Sequence, residues 1–366
     1  MINSKKKILL FMPLIGGGGV EKNLFNIANF LATKFQKIYI CCSFIKNKPQ
    51  LSKNIIFINK NKNSHNNLIL IYFKSIIFLI KFLLKNKKTT VLSFQANIYC
   101  IIICKLFGSK IVVRSNASPS GWANNLLKRK LFKFILKRSD ELIVNSQNFQ
   151  KEMIKKLNIK GKLIFNPLNC NEIKNLSNLR TNIKFFDNYK SLKILNIGRL
   201  TPQKDQMTLL KSLKYIKNKI NFRLLIVGNG LEQSRLEKYI KDNQLINNVK
   251  ILKYQKNPFG ILKKTDLFVL SSRYEGLPNV LLEAATLKKF IISTNCPTGP
   301  SEILANGKYG LLFKIGDFKG LARKIMKYYS MKTREKKNIS LKLFNTLNKY
   351  DAKKNLNKYL KVILDN

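Results

Sequence analysis

A strand followed by a helix is predicted in the stretch Leu267-Phe-Val-Leu-Ser-Ser-Arg-Tyr-Glu275-Gly-Leu-Pro-Asn-Val-Leu-Leu-Glu283. The run from Leu267 to Ser271 is short and mostly apolar, as is typical of a buried strand. Pro278 stands where a helix begins, because its fixed φ and its missing N–H suit the first turn. The stretch therefore predicts a strand, a loop and a helix in that order, which is the repeating unit of a parallel α/β sheet.

Two carboxylates flank the predicted helix start. Glu275 falls on the loop, and Glu283 falls about one and a half turns into the helix. The mouth of a helix favours anions such as phosphate, and carboxylates accept hydrogen bonds from hydroxyl groups. The pair therefore fits a site for a sugar attached to a phosphate. A charge at the helix start together with a solvated helix face explains the same residues, and the stretch alone leaves both interpretations open.

The same alternation of strands and helices extends over most of the chain and predicts an α/β fold with two Rossmann-like domains. Helices are predicted in the first half at 20–35, 68–85, 97–107, 122–138 and 148–157. Strands are predicted at 8–12, 38–43, 55–58, 91–94, 111–114 and 142–145, and again at 193–197, 222–227, 249–252, 267–270, 290–293 and 310–313.

A polar, Asn-rich stretch at about 169–190 interrupts this alternation and marks a domain boundary. The length of 366 residues also suits two domains. We predict an N-terminal Rossmann-like domain over 1–175, a C-terminal Rossmann-like domain over 190–345, and a final helix over 346–366 that packs back on the N-terminal domain.

The formal net charge is +51, from 69 Lys and Arg against 18 Asp and Glu. A charge of this size suggests nucleic acid, an anionic membrane surface or anionic substrates as partners. The lysines are spread along the whole length without an Arg-rich arm, and no module combines basic and aromatic clusters. We therefore expect an anionic membrane surface and no nucleic acid. The six cysteines lack metal or redox spacing and are expected to fill the core in a reducing compartment.

Two apolar segments resemble targeting or membrane segments. The basic start followed by Ile8–Ile15 lacks a small-residue cleavage site and leads into four glycines, so we interpret it as a first strand. The run 68–84 carries Lys74 and Lys81 near its centre, which is costly for a transmembrane helix. A buried or membrane-surface helix is the better interpretation. We expect a cytoplasmic protein attached peripherally to the inner face of the cytoplasmic membrane.

Two loops at strand ends carry candidate phosphate-binding groups. Gly16-Gly17-Gly18-Gly19 follows the first strand, and glycines let the backbone N–H groups approach a ligand closely, although a flexible turn explains them too. Gly198-Arg199-Leu-Thr-Pro-Gln-Lys204 follows the first strand of the second half. The planar guanidinium of Arg199 matches phosphate geometry, and Lys204 adds a mobile charge.

Gly198-Arg199-x4-Lys204 followed by Glu275-x7-Glu283 on a second α/β half resembles family 4 of the retaining glycosyltransferases. The resemblance covers essentially the whole chain and implies the GT-B architecture, with two Rossmann-like domains facing across a cleft. It implies transfer of a sugar from a nucleotide diphosphate donor with retention of configuration and without a bound metal or other cofactor.

The resemblance also implies a role for each candidate residue. Arg199 and Lys204 grip the donor diphosphate, Glu275 contacts the donor sugar, and Glu283 holds the nucleotide ribose; we count the first three as catalytic. The remaining donor-binding candidates are expected to contribute backbone amides to the phosphate and sugar pocket, and they are Gly17, Gly18, Gly276, Leu277 and Asn279.

One position departs from the family pattern. Many members carry a His in the first domain near the reacting carbon, whereas the single His of this chain, His65, lies in a polar loop. The corresponding region contains Arg114 and Asn116, which we take as candidates for the acceptor or for positioning; a strand-end turn explains them equally well. Thr298-Gly-Pro-Ser-Glu302 is predicted to begin a helix, near the donor or as a cap alone.

We therefore predict a hexosyl- or N-acetylhexosaminyltransferase that extends a lipid-linked acceptor of a cell-surface glycan, such as capsule or lipopolysaccharide. Two alternatives stay open at this point. A GT-B sugar-nucleotide epimerase uses the same donor without an acceptor, and a basic nucleic-acid-binding protein explains the charge alone.

Overall fold

The computed structural model describes residues 6–45, 51–58, 67–116 and 125–365. The chain forms two compact units: unit 1 is Met1–Pro167 with Ala352–Asn366, and unit 2 is Leu168–Asp351. The division between Pro167 and Leu168 lies just before the polar stretch at 169–190, so residues 168–175, which were predicted in the N-terminal domain, belong to unit 2. The last helix belongs to unit 1.

Unit 1 is built on a parallel sheet of seven strands in the order β5-β3-β1-β6-β7-β8-β9. A second, two-stranded parallel sheet joins β2 to β4. The strands are β1 (Ile8–Phe11), β2 (Leu14–Ile15), β3 (Ile38–Cys41), β4 (Phe44–Ile45), β5 (Ile55–Phe57), β6 (Thr90–Ser93), β7 (Lys110–Arg114), β8 (Glu141–Val144) and β9 (Lys162–Leu163).

Successive side chains of each strand point to opposite faces of the sheet, and both faces are covered. Ile8 and Leu10 enter one apolar core, whereas Leu9 and Phe11 enter the other. The helices that cover the two faces are α1 (Gly19–Ala32), α2 (Leu68–Lys85), α3 (Asn97–Leu106), α4 (Leu126–Leu136), α5 (Gln147–Leu157) and α14 (Ala352–Leu364). Three of these helices begin at side chains that cap their first turn: Asn67, Asn125 and Ser146.

Unit 2 contains a parallel sheet of six strands in the order β12-β11-β10-β13-β14-β15. The strands are β10 (Leu192–Ile197), β11 (Phe222–Val227), β12 (Val249–Leu252), β13 (Leu267–Leu270), β14 (Phe290–Thr294) and β15 (Leu311–Phe313). From β10 the chain proceeds outward through β11 and β12, then returns to place β13 on the other side of β10. Ligands of open α/β sheets bind at such a reversal, outside the carboxyl ends of the strands.

The helices of unit 2 alternate with these strands. They are α6 (Cys170–Ser177), α7 (Gln206–Ile216), α8 (Gln233–Asp242), α9 (Phe259–Lys263), α10 (Asn279–Thr286), α11 (Pro300–Ile303), α12 (Phe318–Ser330) and α13 (Thr333–Asn345). Pro300 opens α11 and Glu302 lies in its first turn, which confirms the helix start predicted there.

The predicted fold class, α/β with two Rossmann-like sets of parallel strands, is confirmed. Pro278 lies one residue before α10, as its N-cap, rather than in the first turn. Five of the six cysteines are buried, as expected of core residues. In the described part of the chain, none of the helices has the length and hydropathy required to cross a bilayer.

Candidate functional site

The candidate residues of unit 2 lie on two loops that leave neighbouring strands. The loop 198–205 follows β10, and the loop 271–278 follows β13. Because β10 and β13 pair in parallel, their carboxyl ends meet at one edge of the sheet, where the strand order reverses. The fold therefore brings the Arg199–Lys204 segment and the Glu275–Glu283 segment to a single place.

Lys204 and Glu275 form an ion pair across the two loops. The Lys204 Nζ donates to Glu275 Oε1 at 2.5 Å, and the side chains are 16% and 8% exposed. The Lys204 backbone carbonyl accepts a hydrogen bond from Ser271 Oγ at 2.9 Å, which ties the first loop to the end of β13. The two groups that were predicted to contact the diphosphate and the sugar are thus in direct contact.

Gln203 joins Arg199 to the second loop. Arg199 is exposed, and its Nη2 donates to Gln203 Oε1 at 3.3 Å. Gln203 Nε2 in turn donates to the Tyr274 carbonyl at 3.0 Å, and its own carbonyl accepts from the Arg273 N–H at 2.8 Å. The guanidinium of Arg199 is therefore exposed to solvent. Its loop is held against residues 273–274 by the side-chain amide and the backbone carbonyl of Gln203.

Two glycines that the sequence analysis did not single out determine how the first loop packs. A Cβ at Gly228 would lie 1.9 Å from the Gly198 carbonyl oxygen, and one at Gly230 would lie 2.1 Å from the Leu200 carbonyl oxygen. Leu200 N–H also donates to the Asn229 carbonyl at 2.9 Å. The sequence pattern that could have revealed them is Gly228-Asn229-Gly230 directly after the strand predicted at 222–227, since Gly16–Gly19 also follows a predicted strand.

A third loop, before α11, supports Glu275 and Gly276. The Thr298 hydroxyl donates to the Glu275 carbonyl. Gly299 has φ +88°, and a Cβ there would lie 2.4 Å from the Gly276 carbonyl oxygen and 2.7 Å from Pro278 Cδ. The backbone that leads into α10 is thereby held from one side by residues far along the chain.

Helix α10 carries Asn279 at its first position and Glu283 at its fifth. Glu283 is 7% exposed and lies among fully buried neighbours, including Leu281 and Ala284. Gly276 and Leu277, just before the helix, are also buried. Glu283 thus lies in the second turn of α10, near the end of the helix that generally favours anions.

The glycine-rich loop of unit 1 contacts a carboxylate of its own helix. Gly17 has φ +97°, and Gly18 is the N-cap of α1. Glu21 Oε1 accepts a hydrogen bond from the Gly16 N–H at 3.3 Å, and a Cβ at Gly18 would lie 2.8 Å from Glu21 Oε2. The Glu21 carboxylate thus lies next to the backbone of this glycine-rich loop.

Arg114, a predicted positioning residue, is fully buried at the end of β7. Its Nε donates to the Tyr359 hydroxyl at 2.8 Å, and its Nη2 donates to Asn166 Oδ1 at 2.6 Å. Burial raises the pKa of the Tyr359 phenol, while the nearby Arg114 lowers it by less. Arg114 therefore fastens α14 to the sheet and does not present its guanidinium to solvent.

Asn116 lies two residues further on and is half-buried. Its Nδ2 donates to the Phe94 carbonyl at 2.6 Å, which ties the end of β7 to the end of β6. His65 and the residues directly after Asn116, 117–124, fall outside the described part of the chain.

The described ranges also show where possible metal ligands and the thiol near the ion pair lie. Within them, no three His, Cys, Asp or Glu side chains cluster in a way that could hold a metal ion. Cys296 is the thiol beside the ion pair, and burial, with a smaller contribution from the Glu275 carboxylate, raises its pKa to about 12. A thiol that stays protonated at neutral pH is a poor nucleophile.

Part of unit 2 and most of the chain resemble known glycosyltransferases. Residues 180–341 match the family described as Glycosyl transferases group 1. The chain is 38% identical over 201 residues to the uncharacterized glycosyltransferase MJ1059 of Methanocaldococcus jannaschii, an alignment that covers 50% of each protein. It is 25% identical over 341 residues to an N-acetylgalactosaminyltransferase of Campylobacter jejuni that acts on an N-acetylgalactosamine-N,N'-diacetylbacillosaminyl-diphospho-undecaprenol, covering 86% of this chain and 89% of the relative.

Solved structures show the same fold at low sequence identity. The Anabaena protein Alr3699/HepE in complex with UDP and glucose has a TM-score of 0.78 and 18% identity, with 98% of this chain and 99% of that chain covered. A glycosyltransferase from Rickettsia africae has a TM-score of 0.77 and 20% identity, with 99% and 98% covered. The residues that match the Glycosyl transferases group 1 family, 180–341, include the whole Arg199–Glu283 segment.

Proposed function

We propose that this chain, whose residues 180–341 match the Glycosyl transferases group 1 family, is a retaining glycosyltransferase of family 4 that uses a nucleotide diphosphate sugar. The observation that carries the proposal is the Lys204–Glu275 ion pair at the strand-order reversal of unit 2, on the same loops as Arg199. It places a cation suited to a diphosphate against a carboxylate suited to sugar hydroxyls.

The donor is held by groups of three kinds. Arg199 and Lys204 neutralise the diphosphate, which gives Lys204 a second anionic partner beside Glu275. The backbone at the mouth of α10, formed by Gly276, Leu277 and Asn279, adds N–H groups and the positive end of the helix dipole. Glu283 binds the ribose hydroxyls, and Glu275 binds a hydroxyl of the sugar.

The reaction breaks the bond between the anomeric carbon and the β-phosphate oxygen, which leaves as the nucleoside diphosphate. Negative charge grows on that oxygen in the transition state, and Arg199, Lys204 and the helix mouth stabilise it without a metal. The acceptor hydroxyl bonds to the anomeric carbon on the face that the phosphate leaves, and its proton passes to the departing phosphate oxygen. Front-face attack of this kind preserves the configuration of the sugar.

The acceptor is proposed to be a lipid-linked glycan. The support is the Campylobacter relative, whose name specifies a diphospho-undecaprenol acceptor, together with relatives that take part in amylovoran and capsular polysaccharide biosynthesis. In unit 1 we keep Gly17 and Gly18 as donor-binding residues and Asn116 as a positioning residue. Arg114 is not included among the proposed acceptor-binding residues, because its guanidinium is buried and donates hydrogen bonds to Tyr359 and Asn166.

The proposed place of action is the inner face of the cytoplasmic membrane, where the protein is held peripherally. The support is the net charge of +51, since each Lys or Arg near an anionic surface adds about 1 kcal/mol of attraction.

Thermal unfolding against a panel of nucleotides and nucleotide sugars tests the proposal. A ligand that binds only the native state at about 100 times its Kd adds about 2.7 kcal/mol to the free energy of unfolding. We expect one nucleoside diphosphate and its sugar derivatives to raise the unfolding temperature. A panel without any stabilising nucleotide would contradict the proposal, and donor turnover to an altered free nucleotide sugar without acceptor would indicate an epimerase instead.

A further inference from the structure

Three neighbouring helices of unit 1 expose large apolar side chains. Helix α3 contacts both α2 and α4, so the three lie side by side. Side chains on each helix are more than half exposed, among them Ile69 and Phe73 on α2, Leu106 on α3, and Leu127, Leu131 and Phe134 on α4. We call the exposed side of these helices the α2–α4 face. Several large exposed apolar side chains on neighbouring helices indicate a site of interaction with a partner or a membrane.

The α2–α4 face is also free of acidic residues along its helices. Neither aspartate nor glutamate occurs in α2, α3 or α4, whereas all three carry lysine. Helix α4 alone carries Lys128, Arg129, Lys130 and Lys133 between its apolar side chains. Lys105 of α3 pairs with Asp140, which lies beyond the end of α4. Apolar side chains interleaved with basic ones are typical of helices that lie in the interface of an anionic bilayer.

Exposed apolar side chains lie at the starts of α2 and α4, among them Ile69 and Leu127, and others lie further along, among them Leu131 and Phe134 of α4 and Leu106 at the end of α3. Helix α4 comes after β7 along the chain, and α3 follows β6 directly. In a parallel α/β unit the helix that follows a strand starts near the carboxyl edge of the sheet, which is the edge that binds ligands. A membrane in contact with these helix starts is therefore near the edge at which an acceptor would be bound.

Two other occupants fit the α2–α4 face less well. A second copy of the chain would bring two acid-free basic surfaces together, and like charges oppose such contact. Nucleic acid would accept the lysines but not the exposed Leu127, Leu131 and Phe134, since its backbone contacts are polar and charged. An anionic lipid surface satisfies both the charge and the apolar side chains.

We propose that the α2–α4 face of unit 1 is the membrane-docking surface of this protein, with α4 supplying most of the contact. The inference rests on the proposed function, because it identifies the surface through which the protein would reach a lipid-linked acceptor. It assigns the attraction to anionic lipid to one face of unit 1 rather than to the whole basic surface. The lysines bind anionic headgroups, and the apolar side chains enter the headgroup–acyl boundary without crossing the bilayer.

Co-sedimentation of the full chain with vesicles tests the charge component. The vesicles contain phosphatidylcholine with about 30 mol% phosphatidylglycerol, or phosphatidylcholine alone, at low and high salt. The triple variant Lys128→Gln, Lys130→Gln, Lys133→Gln should bind the anionic vesicles about 100-fold more weakly than the unaltered chain. The matched control is Lys238→Gln, Lys241→Gln, Lys250→Gln in unit 2, which removes the same charge and should lose far less.

A second pair of variants tests the apolar component. Leu127→Ser with Leu131→Ser should lower vesicle binding at least tenfold even at high salt, because the loss of buried apolar area is not screened. Leu231→Ser with Ile246→Ser is the control, since both side chains are exposed in unit 2. All four variants change exposed or half-buried residues and should unfold at the temperature of the unaltered chain.

The outcomes separate the docking surface from the catalytic proposal. Equal vesicle binding by the α4 variants and their unit 2 controls would overturn the docking surface, whatever the activity. So would a change in self-association, measured by sedimentation velocity, without a change in vesicle binding. Loss of vesicle binding with stabilisation by nucleotides unchanged supports the docking surface. If the nucleotide panel fails while the α4 variants lose vesicle binding, the proposed reaction falls and the docking surface stands.

Discussion

At the scale of single residues, the Lys204–Glu275 pair is the contact that most constrains the site. Both side chains are largely buried and each neutralises the other. Removal of one partner from such a pair is costly, because the other charge stays in a poorly solvated place. Arg199 differs, since it is exposed and its side chain has the neutral partner Gln203. We call Arg199 and Lys204, the two cations predicted to bind the diphosphate, the diphosphate clamp. Substitution of the two residues should therefore affect the stability of the fold differently.

We expect Arg199→Ala and Lys204→Ala each to lower kcat/KM by about 10²–10³, the usual loss for one group that stabilises transition-state charge. Lys204→Ala should also lower the unfolding temperature, whereas Arg199→Ala should leave it nearly unchanged because the side chain is exposed. Steady-state kinetics and thermal unfolding of both variants check this. Lys238→Ala, a change of an exposed lysine in the same unit, serves as the control for the loss of charge. Near-normal turnover in both clamp variants would rule the clamp out.

The two glutamates should separate nucleotide binding from sugar binding. Glu283→Gln should weaken the donor and the free nucleoside diphosphate alike, because Glu283 is assigned to the ribose. Glu275→Gln should lower turnover with a smaller effect on nucleotide affinity, because Glu275 is assigned to the sugar. Calorimetric titration with the nucleoside diphosphate measures the difference. Since Glu275 pairs with Lys204, a modest change in diphosphate affinity is expected there, but equal losses in both variants would contradict the assignment.

At the scale of elements, the sequence predicts the longer strands and helices well. The strands Phe222–Val227, Val249–Leu252 and Leu267–Leu270 have the predicted ends, because each is a mostly apolar run, with Arg223 and Lys250 as exceptions, between residues that favour loops. Helix Cys170–Ser177 was missed within the polar stretch at 169–190. Its polar faces hide the apolar period, and only Ile173 and Ser177 are buried. The pair Leu14–Ile15 and Phe44–Ile45 is too short for any pattern to reveal.

The positions of site residues could be predicted where a sequence motif directly follows a predicted strand. They could not be predicted where they depend on packing between residues that are distant in sequence. Arg199, Lys204 and Glu275 could be placed together because a parallel sheet brings the carboxyl ends of its strands to one edge. The burial of Arg114 could not be foreseen, because it depends on Tyr359, which lies 245 residues away in sequence. The support of Gly276 by Gly299 likewise depends on how two distant loops meet.

Gly299→Ala tests that support. Alanine at φ +88° is strained, and its Cβ would lie 2.4 Å from the Gly276 carbonyl oxygen. We expect a loss of about 2–4 kcal/mol in the free energy of unfolding, from strain together with overpacking. Turnover should also fall, because the backbone before α10 must move. Denaturant unfolding and kinetics measure the two effects.

Gly316→Ala provides the matched control for backbone strain. Gly316 has φ +73°, and a Cβ there would meet nothing within 4 Å. It should therefore cost about 1–2 kcal/mol from the left-handed conformation alone and leave kcat/KM unchanged. If the two alanine variants lose the same stability and both keep full activity, the loop before α11 does not support the site.

At the scale of the whole molecule, the charge balance bears on how the leaving group is stabilised. The chain has 69 basic and 18 acidic residues, so cations are plentiful and carboxylates are scarce. A divalent ion that bridges a diphosphate is usually held by one or two carboxylates of the protein. In the loops of unit 2, one carboxylate of the site, Glu275, is already paired with Lys204. The proposed donor site therefore has cationic side chains, Arg199 and Lys204, that can stabilise a diphosphate in place of a metal ion.

We expect transferase activity to survive excess chelator and to gain less than about twofold from added Mg²⁺ or Mn²⁺. The reason is that Arg199, Lys204 and the mouth of α10 supply the positive charge that a metal would otherwise supply. The measurement is turnover after dialysis against EDTA, with and without each ion restored. Lys204→Ala sharpens the test: if the lysine replaces a metal, added Mg²⁺ should recover part of the activity of that variant while leaving the unaltered enzyme nearly constant. Complete loss of activity in EDTA, reversed by one divalent ion in the unaltered enzyme, would show that cationic side chains are insufficient and that a metal stabilises the leaving diphosphate.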